Sequence, residues 1–273
     1  MEVTERFADL VSRSGADIPL DEAALLIAAH GRTDLDVDLE ISRLDDLAAG
    51  CAAPGLDALA DHLFADLGFA GNAADYYDPR NSYLDQVVAR RLGIPITLSV
   101  LAIVVGRRLG VPLVGVAMPG HFLLRDQVDP QVFVDPFAGG TLIDRHRCEV
   151  MFHALHGVDV AFDEAYLAPV GTDLMLSRML ANLRSVFLSR GDRASLVWVL
   201  RLRTVLPGSS AEDRADLAAA LASVGRFDEA AVEYDAAGGQ ASGGLASGRG
   251  ENQGENWSDE WRRRAERLRA RLN

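Results

Sequence analysis

The chain has 273 residues, enough for one large domain or two modest ones, with 49% hydrophobic and 25% charged residues as in ordinary globular proteins. Its formal net charge is -13, which disfavours a sequence-independent hold on nucleic acid because phosphates are repelled. All 27 basic residues are arginine, so Schiff-base chemistry and a lysine nucleophile are excluded.

The charge is uneven. Residues 1–80 carry 17 acids against 5 Arg, a balance of -12, whereas residues 257–273 carry 6 Arg against 3 acids, a balance of +3. Cys51 and Cys148 form neither a metal-type spacing nor a disulfide framework. There is no apolar N-terminal h-region and no long apolar run. The expectation is a cytoplasmic protein with both thiols free and no membrane contact.

Residues 1–70 read as about three helices. Asp21–His30 places Ala24, Leu25, Ala28 and Ala29 on one face, with acids favourable at its start. Val37, Ile41, Leu44 and Leu47 repeat at helical spacing, as do Leu56, Leu59, Leu63 and Leu67 between Pro54 and Gly68. His30 and His62 read as surface or core-edge residues.

Gly71–Arg80 is rich in turn formers, and Pro79 biases Asp78 to an extended conformation. Asn81 or Ser82 can cap a helix running through Leu92 and closed by Gly93. Pro95 suits the first turn of a second helix, which runs to Leu109 and ends at Gly110. That helix is apolar on nearly every side, through Leu98, Val100, Leu101, Ile103, Val104 and Val105, so it is expected at the centre of the domain.

Leu113–Met118, Phe122–Leu124, Val132–Val134 and Thr141–Ile143 then read as short antiparallel strands packed on the central helix. The first domain, 1–165, is therefore α+β: a helical N-terminal part, then a small antiparallel sheet.

From Leu174 the pattern is helical, and a repeat is visible. Asn182–Pro207 and Leu217–Ala237 correspond, with Gly191 and Gly225 separated by 34 residues. That is the tetratricopeptide period, so 170–237 is expected to form an all-α repeat segment. Two copies are fewer than a free-standing solenoid needs. Gly238–Asn256 has the composition of a flexible linker. In the closing segment, 257–273, Trp261, Ala265, Leu268 and Leu272 form one helical stripe suited to docking.

His121 and Asp135 lie 14 residues apart on neighbouring expected strands. An Asp at one imidazole nitrogen fixes the tautomer, and such a pair becomes catalytic opposite a nucleophile at a helix N-terminus. The same two residues can equally be a hydrogen-bonded pair that joins two strands.

The runs Asn81-Ser82-Tyr83-Leu84, Gly93-Ile94-Pro95-Ile96-Thr97-Leu98-Ser99, Pro119-Gly120-His121-Phe122 and Val134-Asp135-Pro136-Phe137 resemble the bacterial SirB-like family. The resemblance implies a transglutaminase-like core, of papain type, followed by tetratricopeptide repeats. It covers about 21–152 for the core and extends to the repeat segment. In the wider superfamily a Cys in a Gly-x-Cys context opens the central helix and acts with a His and an Asp. His121 and Asp135 match the latter two, but Pro95 stands at the cysteine position.

Thr97 and Ser99 are the nearby hydroxyls. Thr97 falls about 200° round the helix from Pro95 at ~100° per residue, whereas Ser99 returns to roughly the same face. Ser99 is thus the better-placed candidate, and both are equally readable as helix hydroxyls bonded to backbone carbonyls. Asn81, Ser82, Tyr83, Arg91 and Pro95 are candidate pocket residues. Arg125 can pair with an anionic ligand, or with Asp126 or Asp129.

Two functions follow: a non-catalytic scaffold that engages a protein partner through its repeats, or an amide-bond hydrolase or acyltransferase using Ser99 or Thr97 with His121 and Asp135; a nucleic-acid or signalling adaptor acting through the basic tail helix is the least supported. No cofactor, nucleotide or metal site is expected. Asp144, His146 and His153 read as surface residues. The sequence does not set the oligomeric state.

Overall fold

The computed structural model describes residues 3–13, 18–244 and 251–270. Two compact units form, Met1–Met179 and Leu180–Asn273. The division falls inside helix α8 (Thr172–Arg190), whose first turns pack with the sheet. Met175 of α8, for example, reaches within 3.0 Å of where a Cβ on Gly115 would stand.

The first unit opens with α1 (Val3–Val11), α2 (Leu20–Gly31), α3 (Val37–Ala49) and α4 (Leu56–Ala60), the last continuing into a π-helical stretch over Asp61–Asp66. Asp36 caps α3 by accepting from the N–H groups of Asp38 and Leu39. α2 is buried along nearly its whole length, from Leu20 to Ala29.

β1 (Ala70–Gly71) pairs in parallel with β2 (Leu92–Gly93), a two-stranded clip that periodicity does not reveal. Between them lie a 3-10 turn (Pro79–Ser82) and α5 (Leu84–Arg90). The helix expected from Asn81 thus begins three residues later, because the Asn81 side chain is committed elsewhere.

α6 (Pro95–Leu109) is the central helix, with Pro95 in its first turn and Gly110 left-handed at its end. Every residue from Ile96 to Gly106 is buried. Burying a Leu, Ile or Val side chain is worth about 1.5–3 kcal/mol each, so this helix dominates the core.

α6 packs on an antiparallel sheet of β3 (Leu113–Val116), β4 (Leu123–Asp126), β5 (Phe133–Asp135), β6 (Thr141–Ile143) and β7 (Pro169–Val170), in the order β6-β5-β4-β3-β7. Residues of alternating parity face opposite sides. Leu113 and Gly115 line a cleft with Ile103 of α6, whereas Val116, Leu123 and Phe133 face the other way.

That second face is covered by α7 (Arg145–His156) through Cys148 and Phe152. α7 was not anticipated. Asp144, His146 and His153, read as scattered surface residues, are its N-cap and two of its turns.

The second unit contains the rest of α8, α9 (Arg193–Val205), α10 (Ala211–Ser223), α11 (Phe227–Gly244) and α12 (Glu251–Arg269). Gly191 and Gly225 turn α8 into α9 and α10 into α11, both with positive φ (66° and 81°).

The linker expected over 238–256 is helical over its described residues: α11 continues to Gly244 and α12 starts at Glu251, while residues 245–250 lie outside the described residues. Gly238 and Ala241 there serve close packing. The Ser258 hydroxyl donates to the Gly238 carbonyl at 3.1 Å, and Ala237, Trp261 and Ala265 are buried in one cluster. Leu272 of the expected stripe lies outside the described residues.

Candidate functional site

The site is built around the start of α6. Pro95 is half-buried in the first turn. The Thr97 hydroxyl donates to the Asn81 carbonyl at 2.6 Å and accepts from the Ile94 N–H at 3.2 Å. It is fully buried and saturated by the backbone. Ser99, one turn further in, is 0% exposed, and its Oγ has no hydrogen-bond partner. Neither hydroxyl bonds to His121, so the structure does not assemble a hydroxyl nucleophile with that imidazole.

Asn81 is also 0% exposed. Its amide donates to the carbonyls of Asp75 (2.7 Å) and Tyr76 (3.2 Å), and its Oδ1 accepts from Asn72 Nδ2 at 3.0 Å. Asn72 in turn donates its N–H to the Gly93 carbonyl at 2.9 Å. These bonds clamp the loop over 71–82 against the N-terminus of α6.

Asp78, 4% exposed, completes the clamp with Arg80 and Arg90. Burial pushes its carboxyl up, but the bonds from Arg80 and the charge of Arg90 outweigh this and hold it below the ordinary carboxylate range.

The remaining expected pocket residues have structural roles. Ser82 is buried. Tyr83 is buried toward α2, where a Cβ on Gly31 would stand 2.4 Å from the phenol oxygen. Arg91 is exposed and left-handed (φ 59°) at the C-cap of α5, the only non-glycine residue with positive φ among the described residues.

His121 closes a turn, its N–H donating to the Met118 carbonyl at 2.9 Å across Gly120 (φ 81°). It precedes β4 rather than lying within it. Pairing of Leu124 with Val134 and Arg125 with Phe133 puts Asp135 opposite Leu123, two residues from His121 in register. No hydrogen bond joins the two side chains.

Asp135 Oδ1 instead accepts from the N–H groups of Phe137 and Ala138 (3.0 and 3.1 Å), fixing the turn after β5. It shares parity with Phe133 and faces α7. There its charge helps to raise the Cys148 thiol, which burial first and Asp144 next push up to about 11. A buried thiol so disfavoured as thiolate is no nucleophile. Cys51, the other thiol, lies at the end of α3, donating to the carbonyls of Ala53 and Ala58.

Sequence reasoning missed an aromatic rim beside this site. Tyr76 and Tyr77 stand exposed on the clamped loop, Tyr77 at 61%, and Tyr76 meets Phe137 edge-on with centroids 6.0 Å apart. Gly71 permits this approach, since a Cβ there would stand 2.4 Å from the Phe137 ring. The adjacent Tyr-Tyr in a turn-rich stretch was the available signal. Among the described residues no group of three His, Cys, Asp or Glu gathers to hold a metal ion, and no helix is long and apolar enough to cross a membrane.

A family model described as the transglutaminase-like superfamily matches residues 26–181. A UPF0162 protein from Xylella fastidiosa (strain 9a5c) is 42% identical over 193 residues, covering 65% of this chain and 69% of that protein. A UPF0162 protein from Vibrio cholerae is 32% identical over 136 residues, covering 49% of this chain and 50% of that protein. F-box only protein 21 from Mus musculus is 38% identical over 146 residues, 48% of this chain but 21% of that protein. No solved structure matches the chain.

Proposed function

The chain belongs to the transglutaminase-like superfamily, and from that premise we propose that it is a non-catalytic, SirB-like member, a binding module that engages a protein partner through a repeat segment. One observation carries this reading. At the start of the central helix, where the resemblance calls for a cysteine, Pro95 stands, Thr97 is saturated by backbone bonds and Ser99 is sealed in the core. His121 and Asp135 remain from the superfamily pattern, but Asp135 serves a turn and the face under α7. The alternative, an amide hydrolase or acyltransferase using Ser99 or Thr97, lacks the hydroxyl–imidazole contact that general-base activation needs.

Two features favour the binding half. The matched segment of F-box only protein 21 is about a fifth of a longer protein, so this fold is also used as one part of a larger chain. In the second unit, Gly191 and Gly225 make equivalent left-handed turns at the tetratricopeptide spacing. A cleft of about 440 Å³ there is lined by Phe187, Leu196 and Leu200, with Leu188 49% exposed at its edge.

The test uses the full chain as bait in a cytoplasmic extract, beside Leu188→Asp. The reading expects a protein captured by the wild type and lost by the variant at unchanged thermal stability. Retention of every captured protein by the variant would remove the repeats from the proposal.

A further inference from the structure

The first unit contains a second concavity, away from α6, on the sheet face that α7 covers. It lies between the β4–β5 hairpin and the segment 164–169, with a volume of about 280 Å³. Its floor is the Phe133 ring, and its apolar walls are Pro130, Leu167 and Pro169.

Arg125 lies over that ring, with its Cζ 5.9 Å from the centroid. Its Nε donates to the Pro130 carbonyl at 3.0 Å, and its Nη1 to the Leu167 carbonyl at 3.4 Å. The guanidinium is therefore fixed from three sides, by a hairpin, the 3-10 turn Glu164–Leu167 and an aromatic face. A guanidinium has five N–H donors. Two are used here, and the other three make no hydrogen bond to the described residues.

What Arg125 lacks is a counter-charge. The nearest acids in sequence are turned to other work: Asp126 accepts from the N–H groups of Val128 (3.0 Å) and Asp129 (3.3 Å), and Asp129 accepts from that of Gln131 (3.0 Å). Glu164, on the cleft wall, is taken by Arg145, which also binds Glu149 at 2.8 Å. The acid on the wall is thus held by Arg145, which it shares with Glu149, while Arg125, held rigid, makes no ion pair of its own among the described residues. Two backbone carbonyls orient a guanidinium without cancelling its positive charge. A planar fork held open in this way matches the two oxygens of a carboxylate.

We propose that this cleft binds a carboxylate carried on an apolar group, with Arg125 pairing the anion and Pro130, Leu167 and Pro169 covering the apolar part. One guanidinium without an ion pair fits a monoanion. A small carboxylic acid and the free C-terminus of a peptide share this chemistry, and the probes separate them.

The experiment titrates the full-length protein with hexanoate, N-acetyl-Gly-Leu free acid and N-acetyl-Gly-Leu amide, followed by calorimetry and by amide chemical shifts. The proposal expects the dipeptide acid to bind and its amide to fail. Hexanoate binding as tightly as the dipeptide acid assigns the site to small acids, and binding of the dipeptide acid alone assigns it to chain termini.

Arg125→Gln should weaken acid binding by about tenfold or more, with partial recovery in Arg125→Lys. Glu164→Gln changes an exposed side chain and leaves Arg125 in place. By removing a negative charge from the cleft wall, it should tighten acid binding about threefold. Equal binding of acid and amide, unchanged affinity in Arg125→Gln or in Glu164→Gln, or no saturable site for either acid up to about 10 mM would overturn the proposal.

Discussion

Asn81→Ala is the sharpest test of how the start of the central helix is held. The wild-type amide is fully buried, donates to two carbonyls and accepts from Asn72. Truncation strands the Asn72 amide, which is itself buried, at a cost of about 1–3 kcal/mol. The carbonyls of Asp75 and Tyr76 lie on an exposed loop and regain water, so each lost bond costs nearer about 1 kcal/mol. The sum is about 3–5 kcal/mol. With a urea slope of about 2 kcal/mol/M, the unfolding midpoint of the first unit should fall by about 1.5–2.5 M. Far-UV circular dichroism in urea measures this, and hydrogen exchange of a peptide covering 72–82 locates it. A midpoint shift below about 0.5 M, or unchanged exchange in that peptide, would refute the clamp as the device that holds the helix start.

Ser99→Ala removes a buried hydroxyl that bonds to nothing and introduces the best helix former, so it should stabilise the first unit by about 1 kcal/mol; a loss of stability would show that Ser99 has a partner. Burial pushes the folded Cys148 thiol up to about 11, so the folded chain holds that proton more tightly than the unfolded chain. This contribution is full below about pH 8.5 and is lost as pH rises toward the folded value, and Cys148→Ala should flatten that alkaline decline in urea midpoints. Iodoacetamide at neutral pH should accordingly modify Cys51 and spare Cys148, as peptide mass mapping will report. Arg91→Gly relieves a left-handed conformation costing about 1–2 kcal/mol, offset by the greater unfolded freedom of glycine, so the net gain should be about 0.5–1 kcal/mol in a thermal melt.

The parts of the fold legible in the sequence were those where local chemistry and tertiary burial agree. α6 is apolar on every side and bounded by Pro95 and Gly110, so both its limits and its central position could be read. The turns at Gly191 and Gly225 were visible for the same reason, since a left-handed residue ends a helix wherever it lies. α7 escaped because only Cys148 and Phe152 are buried along a helix otherwise rich in charge and histidine.

That miss also obscured the candidate site. Without α7 there was no second sheet face, and the surroundings of Asp135 on that face could not be read. The role of Asn81 was illegible for a different reason: a buried amide is specified by partners at Asn72, Asp75 and Tyr76, which no spacing rule announces. The glycine-rich stretch after Ala237 has the composition of a linker, yet Gly238 lets α11 and α12 approach closely. Composition alone does not distinguish those two uses of glycine.

On the proposed reading, nothing at the start of α6 acts as a nucleophile. Intact-mass analysis of the full chain after incubation with a fluorophosphonate tests it most directly, run beside His121→Ala. No covalent adduct is expected on either protein. A single adduct on the wild type that maps to Ser99 or Thr97 and disappears in His121→Ala would contradict it.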